Sequence, residues 1–167
     1  MLVSWNAAGQ SGKKKGSDAM FGRAGSEPKL LIPGLAGFYA SVSDLWYPMI
    51  RIAAGGFFLY HGWGKLMGGV APVAAAMAKN GFEPHTAFAY MAIFLETVGA
   101  ICVILGLFTR FFAAGIAIEL AIIAFGVQIH NGFGRMELFL IWGIVMFAIA
   151  LRGGGPYSLD RKIGKEL

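Results

Sequence analysis

The chain has 167 residues, of which 57% are hydrophobic and only 14% charged, with a mean hydropathy of +0.65 and a formal charge of +5. Such a composition excludes an ordinary water-soluble domain, and the length leaves room for one domain only. The apolar excess calls for lipid, so the expected fold class is an all-α membrane protein, a four-transmembrane-helix bundle with a disordered or interfacial N-terminal extension.

Residues 1–44 are expected to form a basic cytoplasmic tail followed by an interfacial segment. The first part is rich in Gly, Ser and Lys, with no apolar stretch long enough for a signal-peptide core. Lys13, Lys14 and Lys15 stand without interleaved aromatics, which argues for a topological signal and against a nucleic-acid partner. Residues 31–44 mix apolar and small side chains, as a segment lying against headgroups would.

Four apolar segments follow at about 45–67, 86–108, 111–130 and 134–152, making 45–152 the transmembrane domain and 153–167 a cytoplasmic C-terminal tail. The first linker, MGGVAPVAAAMAKNGFEPH, holds two prolines and an Asn-Gly step, so it reads as a loop with a short helix near 74–79. A tight turn is expected at Phe108, Thr109 and Arg110, and a Gly-rich turn at Asn131-Gly132-Phe133-Gly134. Gly153-Gly154-Gly155-Pro156 ends the last helix. Cys102 sits in an apolar run, where a lone cysteine acts as a small hydrophobe.

Orientation follows from the Lys and Arg count. Ten lie on the side of the termini: Lys13, Lys14, Lys15, Arg23, Lys29, Arg110, Arg152, Arg161, Lys162 and Lys165. Lys65, Lys79 and Arg135 make three on the other side, and Arg51 falls inside the first span. The bias puts both termini in the cytoplasm.

Ionisable groups inside a bilayer cost several kcal/mol unless paired or hydrated, so they mark candidate sites. With His61, His85 and His130 as markers of the outer boundary, Arg51, Glu96 and Glu119 lie ten, eleven and eleven residues further in. At about 1.5 Å per residue all three are expected roughly 15–17 Å deep, where they could meet as a polar centre. In that centre Arg51 pairs with Glu96, and Glu119 joins them or stays protonated. The competing expectation is that these charges only fix helix packing. A second group, His61, Lys65, His85, His130, Arg135 and Glu137, is expected to form an outer-face pocket, with Glu137 pairing to Lys65 or Arg135. No metal site is expected and haem is disfavoured, because no two histidines stand three or four residues apart on one helix and Glu-x-x-His and Cys-x-x-Cys-His are absent. Gly55, Gly56, Gly62, Gly64, Gly99 and Ala100 provide small-residue faces for close helix contact.

RIAAGGFFLYHGWGKLMGG, ETVGAICVILGLFTRFFAAGIAI, HNGFGRMELFLIW and GGGPYSLDRKI occur in that order between residues 48 and 163. In this succession the chain resembles the DoxX family of small four-helix membrane proteins. The resemblance places Arg51, His61, Gly62, Lys65, Glu96, Arg110, Asn131, Gly132, Glu137 and Asp160 on motif positions, and Glu119 on none. It implies a bacterial or archaeal cytoplasmic membrane, and association with a thiosulfate:quinone oxidoreductase or with complexes of oxidative-stress and thiol defence.

Two functional readings follow. One is an accessory or scaffold subunit of a larger membrane complex, redox or respiratory/photosynthetic, not catalytic alone and joined to other membrane proteins through residues 1–44 and the small-residue faces. The other is a quinone-interacting subunit of an oxidoreductase, with quinone the only cofactor suggested. A small-solute transporter ranks below both, because the chain shows no inverted repeat.

Overall fold

The structure, a computed structural model, describes residues 30–166; the basic run at Lys13, Lys14 and Lys15 lies outside the described residues. The chain divides into two units between Ala40 and Ser41. A 3-10 turn at Pro33–Leu35 leads into a short helix, α1 (Ala36–Val42), within which that boundary falls.

The second unit is entirely helical in its regular structure. Helix α2 (Trp46–Gly68) tolerates Pro48 because its ring falls in the first turn, where a backbone N–H has no intrahelical acceptor. Gly69 ends α2 and immediately starts α3 (Val70–Lys79). The linker expected as a loop is therefore mostly helix. Pro72 again occupies a first turn, and the alanine run beyond it has high helix propensity.

Three long helices follow: α4 (His85–Leu105), α5 (Thr109–Asn131) and α6 (Phe133–Arg152), each long and apolar enough to cross a membrane. Helix α2 has comparable length but carries Arg51, His61 and Lys65, and falls outside that class. Two of the long helices widen into π turns, α4 at Leu95–Gly99 and α5 at Ile123–Gln128. Helix α2 packs on α4, α3 on the first half of α4, and α5 on α6. Their contacts are made by small side chains: Ala54, Ala100 and Ala113 are wholly buried beside Val103, Ile116 and Met146. Small residues let helices approach closely where lipid removes the usual hydrophobic drive.

The end of the bundle holding the C-terminal segment is fastened by polar groups. Helix α4 stops at Gly106, whose φ of +70° continues into a Schellman closure from the Leu107 N–H to the Cys102 carbonyl at 2.9 Å. A side chain at Gly106 would also strike Arg51 Nη1 and Ser158 Cβ. Helix α5 then starts with no capping side chain of its own. Its cap comes from Asp160 on α7 (Leu159–Ile163), whose carboxylate accepts from the Phe108 N–H at 2.7 Å, the Thr109 N–H at 3.0 Å and the Thr109 hydroxyl at 2.7 Å. The Asp160 N–H donates back to the Gly106 carbonyl at 2.8 Å. Arg110 satisfies the far end of α6, donating to the carbonyls of Leu151 at 2.6 Å and Ala150 at 3.3 Å and pairing with Glu166 at 2.8 Å.

Removing this cap has a defined cost. Asp160→Ala leaves buried donors without an acceptor and is expected to destabilise the protein by about 3–5 kcal/mol, whereas Thr109→Val, which deletes one bond, costs about 1 kcal/mol. Unfolding in detergent micelles measures both; equal stability of Asp160→Ala and the unaltered protein would rule the cap out.

Candidate functional site

Arg51 is buried to 1% exposure five residues into α2. Its guanidinium donates to the carbonyls of Gly154, of Tyr157 at 3.1 Å and of Ile104 at 3.4 Å. It meets the Asp160 charge through space. Tyr47, one turn earlier, donates to the Gly153 carbonyl, and the Arg152 guanidinium lies 4.5 Å from the Tyr47 ring centroid. Arg51 thus belongs to the C-terminal knot.

Glu96 does not meet it. Helix α2 crosses α4 at Gly62, where an added Cβ would fall 2.3 Å from the Glu96 carbonyl oxygen, so only glycine fits. Gly62 is eleven residues, or about 16 Å of helical rise, beyond Arg51. The expected Arg51–Glu96 pair is therefore replaced by another. One turn after Gly62, Lys65 reaches Glu96 Oε1 at 2.5 Å. Arg51 and Glu96 lie at different depths because His61 does not mark the end of α2. Seven more residues of helix follow it, which moves Arg51 to the opposite end of the bundle.

The π turn at Leu95–Gly99 contains Glu96, and within it the Thr97 hydroxyl donates to the Ile93 carbonyl at 2.5 Å. Such wide turns redirect side chains and recur at functional sites. Here it accompanies a carboxylate 7% exposed whose Oε2 has no hydrogen-bond partner. The pair opens on a cavity of about 470 Å³, lined by Phe57, Phe58, His61, Lys65, Glu96, Leu120, Ile123, Leu138, Phe139 and Trp142. Trp142 stacks obliquely on Phe57 at 5.2 Å and meets Phe58 edge-on at 6.1 Å. The site therefore combines an aromatic slot, an ammonium with donors to spare and a carboxylate oxygen buried without a partner.

Glu119 lies on α5 with Glu96 and Lys65 as its charged neighbours, and neither of its carboxylate oxygens has a partner. The other expected residues are less engaged. His85 pairs with Glu83 at 3.0 Å, while His130, Arg135 and Glu137 are exposed around the turn before and the first turn of α6. Lys65 binds Glu96 and not Glu137. Among the described residues no group of three or more His, Cys, Asp or Glu is arranged to hold a metal ion. Sequence reasoning left out the aromatic lining. Trp142 was the one signal for it, an indole well inside a span instead of at its edge.

A chain whose described residues form helices and no strand, with three such apolar helices and with Arg51, Glu96 and Asp160 withdrawn into the interior, is an integral membrane protein. Residues 47–129 match the DoxX family model, and over that stretch the chain belongs to the DoxX family. Neither the curated proteins nor the solved structures contained a match. The family match takes in Arg51, Gly62, Lys65, Glu96 and Thr109 and ends before Asp160.

The ion pair can be tested by a double-mutant cycle. Lys65→Met strands the Glu96 carboxylate and is expected to destabilise the protein by about 3 kcal/mol, the low end for a broken buried pair because the Lys65 side chain is 33% exposed. Adding Glu96→Gln restores most of that loss in the same unfolding measurement; strictly additive effects would show that the two groups do not interact.

Proposed function

We propose that the chain is an integral membrane subunit of a larger redox complex and that the Lys65–Glu96 cavity receives a quinone head group. In this reading α2 is the fourth span, with Arg51 and Lys65 paired inside the bundle, and residues 45–152 form the membrane domain. Both termini face the cytoplasm of a bacterial or archaeal cell, by the ten-to-three bias of Lys and Arg.

The observation that carries the reading is the pairing of an aromatic slot with one donor and one acceptor. A quinone ring is flat and apolar and stacks against Phe57, Phe58, Phe139 or Trp142. Its carbonyls accept from Lys65 or His61, and the hydroxyl of the reduced form donates to Glu96 Oε2, which has no other partner. The electron donor belongs to the partner subunits.

A non-catalytic accessory role is the second reading, favoured by α6. Only 11% of its span is buried within the chain, against 44% for α4, so α6 offers most of its surface to lipid or to another membrane helix. The tail and the small-residue faces supply further contacts.

Both readings are tested by purification in mild detergent followed by mass spectrometry of bound quinones and co-purifying proteins. Quinone is expected with the unaltered protein and about tenfold less with Trp142→Ala, the scale set by losing one large aromatic contact. A preparation that neither carries quinone nor takes up an added one overturns the first reading. Co-purifying membrane proteins without quinone would support the second.

A further inference from the structure

Three cavities meet around Lys65, and their linings overlap. The aromatic slot at Trp142 shares His61 and Lys65 with a groove of about 510 Å³ between α2 and α3. That groove shares Ala76 and Met77 with a chamber of about 550 Å³ between α3, α4 and α5. Chamber and slot touch a second time at Ile123, which lines both. The groove is open along α2 because a Cβ at Gly64, Gly68 or Gly69 would meet nothing within 4 Å. Polarity falls along this path. Lys65, His61 and Glu96 face the slot, whereas Phe82, Phe88, Phe94 and Phe111 wall the chamber, and the Glu119 carboxylate oxygens beside it are buried away from the space. On its outer side the chamber reaches the surface of α4 and α5, where Met91, Phe111 and Ile122 are exposed on helices apolar enough to face lipid.

We propose, resting on the head-group reading above, that the groove and chamber hold the polyprenyl tail of the quinone, so that the substrate class is a long-tailed membrane quinone. The order of polarity selects this occupant. Its neutral head lies at Lys65 and Glu96, and its apolar body runs outward past Met77 between the phenyl rings to the lipid. Ordered water does not fill such a chamber, because a buried water needs two to four polar partners. Isoprene units pack their methyl groups and flat double bonds against the aromatic walls. A phospholipid fits the path in neither direction. With its head inward it brings a phosphate beside the buried Glu96 carboxylate, and with its head outward it finds no Lys, Arg or His in the chamber lining to hold that phosphate.

Photo-crosslinking of the full chain in phosphatidylcholine vesicles tests this, with mass spectrometry locating the labelled residues. The probes are a benzoquinone with a photoreactive azide on its ring, a farnesyl benzoquinone with a diazirine at the end of its tail, and a phosphatidylcholine with a diazirine in one acyl chain. The ring probe is expected to label the slot at Phe57 or Trp142. The tail probe is expected to label the chamber at Met77, Phe88 or Phe111, and an excess of unlabelled farnesyl benzoquinone to abolish that signal. Gly64→Leu fills the groove at an open helical position that favours leucine over glycine, and thermal unfolding checks that it folds. It should cut chamber labelling about tenfold, the scale of overpacking by one side chain, and leave ring labelling of the slot unchanged. Slot labelling by the ring probe with tail labelling confined to lipid-facing α6 residues such as Ile144 and Phe147 overturns the tail site and leaves the head-group reading standing. Chamber labelling by the phosphatidylcholine that excess quinone does not displace overturns it in favour of a lipid chain. A ring probe that leaves the slot unlabelled overturns the head-group reading, and the tail site with it.

Discussion

Helix α5 emerges from a tight turn with its first N–H groups pointing at the end of an apolar bundle, where neither its own side chains nor lipid can satisfy them. The Asp160 carboxylate does so, and the rest of the architecture follows from that contact. Holding Asp160 at Phe108 and Thr109 fixes the C-terminal segment across the end of the bundle. The fixed segment presents the Gly154 and Tyr157 carbonyls to Arg51. Those carbonyls compensate a guanidinium that would otherwise be buried alone, and so set the height of α2 against α4. Gly62 then meets the Glu96 backbone, and Lys65 meets the Glu96 side chain. A capping bond at one end thus determines which charges pair at the other.

Much of this was legible in the sequence. Hydropathy and breaker residues located three long helices, because a bilayer admits few other solutions for twenty apolar residues. Glycines at 132 and 153 each adopt a positive φ where a turn was expected, whereas the turn expected at Phe108, Thr109 and Arg110 lies earlier, at Gly106–Phe108, with Thr109 and Arg110 already in α5. The pairing of charges was not legible. Depth counted from a histidine assumes that the histidine marks a boundary, and His61 sits two turns short of one. Nor does hydropathy reveal that α3 continues the helical path after Gly69, since Pro72 reads as a breaker until its place in a first turn is known. The role of Asp160 was equally hidden: a carboxylate near the C-terminus gives no sign that it caps a helix starting far earlier in the chain.

The charged groups also explain why α2 differs from the other long helices. Arg51, His61 and Lys65 lower its hydropathy, yet Arg51 and Gly62 are buried, and Lys65 runs back along the helix to Glu96. Arg51 and Lys65 therefore turn to partners on the C-terminal segment and α4, while His61 is exposed. Helix α6 is the converse, apolar and little buried. A helix that is polar inward and another that is apolar outward are what a bundle solvated by lipid requires.

The two ends of the bundle differ in how completely their polar groups are satisfied. At the C-terminal knot most donors and acceptors are matched, several of them to backbone that is itself held by helix ends, so a local opening there must break many bonds together. Around Glu96 and Glu119 the balance reverses: three carboxylate oxygens lack partners and both supporting helices contain π turns, whose hydrogen bonds are less regular than those of an α-helix. Local stability in proteins follows this kind of grading, with binding regions drawn from the less satisfied parts. The knot is therefore the anchor, and the widened turns are where the bundle has the freedom to admit a ligand.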